Sequence, residues 1–274
     1  MKCVNLCDLL DKKVFSSGSL ERLFQMPQIA DAERICAGSY FCSQYFLEMD
    51  FLQQLEQFVR QHDLSLTLAV PIISEKDLLA AKQKLDDLLR QLPVDEVTVN
   101  DVGMLSFISD TYRITLNLGR LFFKDARDIR MRGYYQRTVH PAGLDRLEGY
   151  AKHFSVGCAE LDAVSSCLQL GSDIHTPIAI HYPYCYMTTG NICKYASIDK
   201  DISKKFRPNA PCSRQCQRIY ETYSPKTEEY TLYRIGRAVY FETQLPETVD
   251  GQFERLIYFP LRELTQLRKE GDGY

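Results

Sequence analysis

Short apolar, β-branched runs alternate along the chain with longer stretches of helical period, and no other feature restricts the fold as strongly. Residues 34–41 (RICAGSYF) read as a strand, and 43–61 as a helix in which Leu47, Phe51, Leu55, Phe58 and Val59 recur at helical spacing. The pattern repeats with a strand at 64–73 and a helix at 75–91, then strands at 95–100, 113–118, 153–158 and 177–182, with helices near 143–152 and 160–170. A hairpin at 229–241 turns around Ile235–Gly236, and 255–259 is a last strand before a C-terminal helix. Strands followed by helices imply parallel pairing through crossovers. A doubly wound sheet would carry a Gly-rich phosphate loop in its first strand–helix turn, and none is present. The expected class is therefore α/β, an irregular or incomplete (β/α) TIM-like barrel.

Such barrels place their active sites at the C-terminal ends of the strands. The residues expected there are Cys42, Asn100, Asp101, Asn117, Arg120, Glu160, His181 and Tyr182. Asp101 and Glu160 suit general acid–base roles, with helix capping as the structural alternative. His181 is the histidine nearest a strand end and the later cysteines. Arg120 closes an apolar strand, where a guanidinium needs a partner; it fits bidentate recognition of a carboxylate or phosphate, or an ion pair with Asp101 or Glu160. Tyr182, Tyr184 and Tyr186 alternate in a way that lines a pocket or simply follows a strand.

The chain has 274 residues without a repeat or a Gly/Ser linker, which suggests one domain over 1–274 carrying a Cys-rich loop at 185–218. Lys and Arg total 33 against 36 Asp and Glu, so the formal charge of −3 gives no global case for binding nucleic acid or anionic membranes and leaves only a local basic groove open. The N-terminal residues lack the apolar core of a secretory signal, and no apolar run reaches the ~18–20 residues that span a bilayer. A cytoplasmic location is expected. In a reducing compartment the ten cysteines are thiols, metal ligands or redox groups rather than disulfides.

Four of them, Cys185, Cys193, Cys212 and Cys216, crowd into residues 181–218, and Arg207, Arg214 and Arg218 border them. Clustered thiols near positive charge suit an iron–sulfur or zinc site, although the gap between Cys185 and Cys193 is too long for a zinc knuckle. Four unrelated thiols are the alternative. In the same region the basic run KKFRPN (204–209) is either a solvated loop or an RNA contact.

The runs VDEVTVNDVGML (94–105), ITLNLGR (114–120), VGCAEL (156–161) and TTGNIC (188–193), followed by a distal C-x3-C, resemble in order the collagenase-like peptidase family U32. Within that family the plan is similar to that of short members acting in oxygen-independent hydroxylation during ubiquinone biosynthesis. The resemblance implies a [4Fe–4S] cluster on Cys42 (from YFCSQ), Cys193 (from NIC), Cys212 and Cys216 (from PCSRQC), with Cys185 the reserve ligand. It further implies hydroxylation of a quinone precursor or of RNA and a heterodimer with a related family member; Asn100, Arg120 and Tyr182, from their place at the strand ends, are the residues expected toward substrate. A peptidase of the same family and a non-catalytic cluster- or metal-binding partner protein are the alternative functions.

Overall fold

Eight parallel strands close into a barrel in the computed structural model, which describes residues 1–123, 138–217, 221–223 and 231–271. In chain order they are Lys2–Asn5, Arg34–Gly38, Ser65–Val70, Val94–Val99, Thr115–Leu118, Val156–Asp162, Ile178–Tyr182 and Arg255–Tyr258. The last strand pairs with the first, Leu256 opposite Lys2 and Tyr258 opposite Val4, so the circuit is complete. The irregularity expected from sequence lies in the crossovers. The link between the sixth and seventh strands carries the short strand Cys167–Gln169, which pairs with Thr138–Val139 and Thr248–Asp250. Between the seventh and eighth strands the chain builds a four-stranded antiparallel sheet from Tyr184–Thr188, Glu221–Tyr223, Leu232–Ile235 and Ala238–Glu242.

Strand residues alternate in direction, which explains the composition of the two faces. Ile35, Ala37, Leu66, Leu68, Val97, Val99, Leu116, Leu118, Leu161, Ile178 and Ile180 are all buried and form the outer face. The helices Leu52–Gln61, Leu78–Gln91, Val102–Thr111 and Leu144–Phe154 surround the barrel and bury Leu55, Phe58, Leu85, Leu88, Leu105, Ile108 and Leu147. The opposite face is polar. Arg255 crosses the barrel to Glu96 with two bonds of 2.7 and 2.8 Å, and Asn117 Nδ2 donates to the same carboxylate at 2.9 Å. Arg34 lies 3.5 Å from Glu96, and Thr67 links the two. Burial alone would raise the Glu96 pKa, but the guanidiniums of Arg255 and Arg34 outweigh it and hold the carboxyl below its usual range.

Three expectations change. The helix expected at 43–61 is two helices, Ser43–Leu47 and Leu52–Gln61, because the chain bends at 48–51 to bury Met49 and Phe51 together. The helix expected at 160–170 does not form: the strand continues to Asp162, and Ser165 then bonds the backbone of Cys167 on both sides, a local competition with helix that serine favours. The segment DVGML, placed in no element from sequence, opens the helix Val102–Thr111. Most of the basic, polar stretch that the sequence places at 124–140, namely residues 124–137, and residues 229–230 of the expected hairpin lie outside the described residues; the rest of that hairpin forms as expected.

Gly38 ends the second strand at φ 103°, and a Cβ there would meet the Ala69 carbonyl oxygen at 2.3 Å. Gly38→Ala is expected to cost more than about 2 kcal/mol, read as a lower denaturant midpoint with an unchanged slope.

Candidate site at the barrel mouth

Arg120 follows the fifth strand and is 1% exposed. It meets neither of the acids anticipated as partners: Nε donates to Asp162 Oδ1 at 2.8 Å, Nη2 contacts the same oxygen, and Nη2 donates to the Tyr184 carbonyl at 2.9 Å. Burial acts to lower the Arg120 pKa, but the Asp162 charge more than compensates, so the guanidinium stays ionised. The rings of Tyr40, Phe41, Tyr186 and Tyr240 surround it, with centroids 5.7, 5.8, 5.5 and 5.9 Å from Cζ. Tyr186 and Tyr240 belong to the antiparallel sheet, which therefore covers the end of the barrel. Asp162 was not anticipated; it lies two residues beyond Glu160, hence on the same strand face, and reading the strand to its true end would have found it.

Deeper inside, His181 Nε2 is 2.9 Å from Glu160 Oε2, and Thr98 Oγ1 donates to Glu160 Oε1 at 2.6 Å. Burial, with the nearby Arg120 charge, lowers the His181 pKa and favours the neutral ring, which donates to Glu160 through Nε2. Tyr40 packs edge-on against that ring at 5.3 Å. Glu160 thus belongs to the barrel interior rather than to a loop after the strand. Asp101 takes its capping alternative: its side chain accepts from Met104 N at 2.8 Å. Asn100 donates to the Val70 carbonyl at 3.1 Å, and its Oδ1 fills the space a side chain at Gly119 would need. Asn117 bonds Glu96 near the other end, and Tyr182 packs against Tyr258 at 5.3 Å. Asn100, Arg120 and Tyr182 are engaged with the protein itself.

The cysteines separate into distinct settings. Cys193 packs with Tyr195 and Ala196, and Cys212 and Cys216 lie against this group. Cys42 caps the helix Ser43–Leu47, its Sγ accepting from Tyr45 N at 3.5 Å. Burial pushes the Cys42 thiol up to about 12, with Cys212 adding to the rise. Burial likewise raises Cys216, and Cys42, Cys193 and Cys212 all act on it electrostatically in the same direction. Arg214 helps hold these parts together, donating to the Glu48 carbonyl at 3.0 Å and lying 3.6 Å from Asp50. Cys185 faces elsewhere, 3.6 Å from Thr243 Oγ1 and within the field of Arg120.

The cation beside Cys42 and Cys212 is Arg237, which sequence reasoning missed; its charge lowers both thiol pKa values against the dominant effect of burial. It is 6% exposed and donates to Asn209 Oδ1 at 2.7 Å. Its place in the turn after Gly236 was the available signal. Arg207 instead bonds the Ser203 carbonyl, and Arg218 lies outside the described residues. Asp8, just past the first strand, completes the setting: burial lifts its carboxyl to about 7 against the pull of Ser39, and it acts on both Cys42 and Cys216. Among the described residues, no three His, Cys, Asp or Glu side chains are drawn into a shell that would hold a metal ion.

Two outcomes test this assignment of charge. Asp162→Asn should destabilise the fold by about 3–5 kcal/mol by stranding the Arg120 cation, and Arg120→Met combined with Asp162→Leu should recover most of that loss in urea unfolding. For His181, the folded pKa lies below the unfolded 6.5, so the unfolded chain binds the extra proton and stability falls as pH drops below that value. The stability difference between wild type and His181→Gln should accordingly narrow below pH 6.5 and stay constant above it.

No family model and no curated protein matches the chain. Among solved structures, one of a U32 peptidase is similar, at 12% identity with a TM-score of 0.46, covering 94% of this chain and 91% of that one.

Proposed function

We propose that the chain is an iron–sulfur protein, with Cys42, Cys193, Cys212 and Cys216 as the ligands of a [4Fe–4S] cluster beside the barrel mouth. The observation that carries this reading is that Cys193, Cys212 and Cys216 pack in one small cluster, with Cys42, distant in sequence, near enough to act on the Cys216 thiol. Four thiols, three from the Cys-rich loop and one from a separate turn, are the donor set such a cluster takes. A buried guanidinium next to them, with its Nε unpartnered, supplies charge that favours thiolates. Bound there, the cluster would supply one-electron transfer.

The protein's own groups have definable tasks in this reading. Burial keeps the free thiols of Cys42, Cys212 and Cys216 protonated, so loading must release protons and strengthen as pH rises. Arg237 opposes that burial at Cys42 and Cys212. Arg120 and Asp162 act as positioning residues, because they fix the antiparallel sheet that carries Gly236 and Arg237 onto the barrel end. Glu160 and His181 form a water-poor acid–base pair below it. The motif resemblance adds the finer proposal that the reaction is oxygen-independent hydroxylation of a quinone precursor or RNA, in a heterodimer with a related chain.

Anaerobically isolated protein should contain iron and sulfide and absorb in the visible range. Replacing any of the four cysteines by Ala should remove most of the iron and bleach that absorption, whereas Cys158→Ala and Cys185→Ala should keep both. A full cluster in Cys42→Ala with loss in Cys185→Ala would overturn the ligand assignment. Peptide cleavage by iron-free protein would favour the peptidase alternative.

A further inference from the structure

Among the described residues, four of the ten exposed large apolar side chains fall within one loop: Ile192, Ile198, Ile202 and Phe206, at 50, 43, 90 and 58% exposure. The same loop is basic in a chain whose net charge is −3, with Lys194, Lys200, Lys204, Lys205 and Arg207 against Asp199 and Asp201. We propose that residues 192–207 form a membrane-docking loop that sets Ile202 and Phe206 into the interface of an anionic bilayer while Lys204, Lys205 and Arg207 meet the lipid phosphates.

The exposure is built into the loop. Phe206 adopts φ 55°, a backbone region that aromatic residues avoid, and its amide donates at 2.8 Å to the hydroxyl of buried Ser197, which itself donates to the Cys193 carbonyl. Asn209 N bonds the Asn191 carbonyl at 2.7 Å, which joins the two ends of the loop, and Lys76 Nζ and Arg237 Nη1 donate to Asn209 at 2.8 and 2.7 Å, which ties that junction to the body. The short 3-10 turn Ile202–Lys204 then presents an aliphatic side chain outward beside two lysines. Large apolar groups at a protruding tip, rimmed by cations, mark an interaction surface. The chemistry selects a bilayer over nucleic acid. RNA contacts draw on stacking rings, of which this loop exposes one, Phe206, and would gain little from Ile192, Ile198 and Ile202, whereas an interface accepts aliphatic groups to a depth of ~5–10 Å and attracts the adjoining cations.

The test is co-sedimentation of the full chain with vesicles of phosphatidylcholine alone or mixed with phosphatidylglycerol. Binding should require the anionic lipid, weaken with salt, and fall about tenfold or more in the double variant Ile202→Ser/Phe206→Ser and in Lys204→Glu/Lys205→Glu. Because the chain contains no Trp, F206W gives a single-site reporter that does not depend on those variants, and its emission should shift to the blue on anionic vesicles alone. Cys42→Ala should bind vesicles as wild type does, which separates this proposal from the cluster reading. Absence of vesicle binding, an unshifted F206W emission, or wild-type affinity in the Ile202/Phe206 variant would overturn it. So would binding of single-stranded RNA that depends on Lys204 and Lys205 and leaves vesicles unbound.

Discussion

Glu96 is the point from which the rest of the barrel can be understood. It sits on the fourth strand, receives Arg255 from the eighth, lies against Arg34 of the second and accepts from Asn117 of the fifth. One carboxylate thereby ties strands from several sides of the barrel, and neither arginine can move away without weakening the compensation of a charge in a water-poor interior. Ion pairs of this kind contribute little net stability, because desolvation offsets most of the attraction, but they penalise alternative registers heavily. The hydrophobic stabilisation comes instead from the layer between strands and helices, where the Val, Leu and Ile side chains are buried.

The same logic recurs at the opposite end, with a different result. Arg120 and Asp162 neutralise one another under four aromatic rings, and Arg120 also holds the carbonyl of Tyr184, where the antiparallel sheet begins. That sheet replaces a crossover helix, and its hairpin turn carries Gly236 and Arg237. Gly236 adopts φ 53°, and a Cβ there would sit 3.8 Å from the Cys216 sulfur. The buried ion pair in the barrel and the thiols beside it are connected through this hairpin.

Most of the barrel was legible because its strands alternate sharply: LSLTLAV, VDEVTV and IAIHY each place small or polar residues between apolar ones, and a single period suffices to identify them. The first strand, Lys2–Asn5, escaped because four residues flanked by Asp8 and Asp11 offer too short a period, and its partners lie at opposite ends of the sequence. Arg120 could be recognised as needing a counter-ion from its place at the end of an apolar run. Its choice of Asp162 depended on how far a strand extends, which local pattern defines poorly. Arg237 and Asp8 were invisible for a related reason: each is ordinary within its own segment, and only the closed fold brings both near Cys42.

The position of the eighth strand bears on how the chain acquires its structure during synthesis. Among the described residues, Arg255–Tyr258 is the strand that joins Lys2–Asn5 to Ile178–Tyr182, and the covering sheet and the cysteine loop both precede it in sequence. Until this strand has been made and paired, the sheet has two unsatisfied strand edges, and its most separated segments have not yet met. The arrival of this strand, rather than any local element, sets the earliest moment at which the barrel can close.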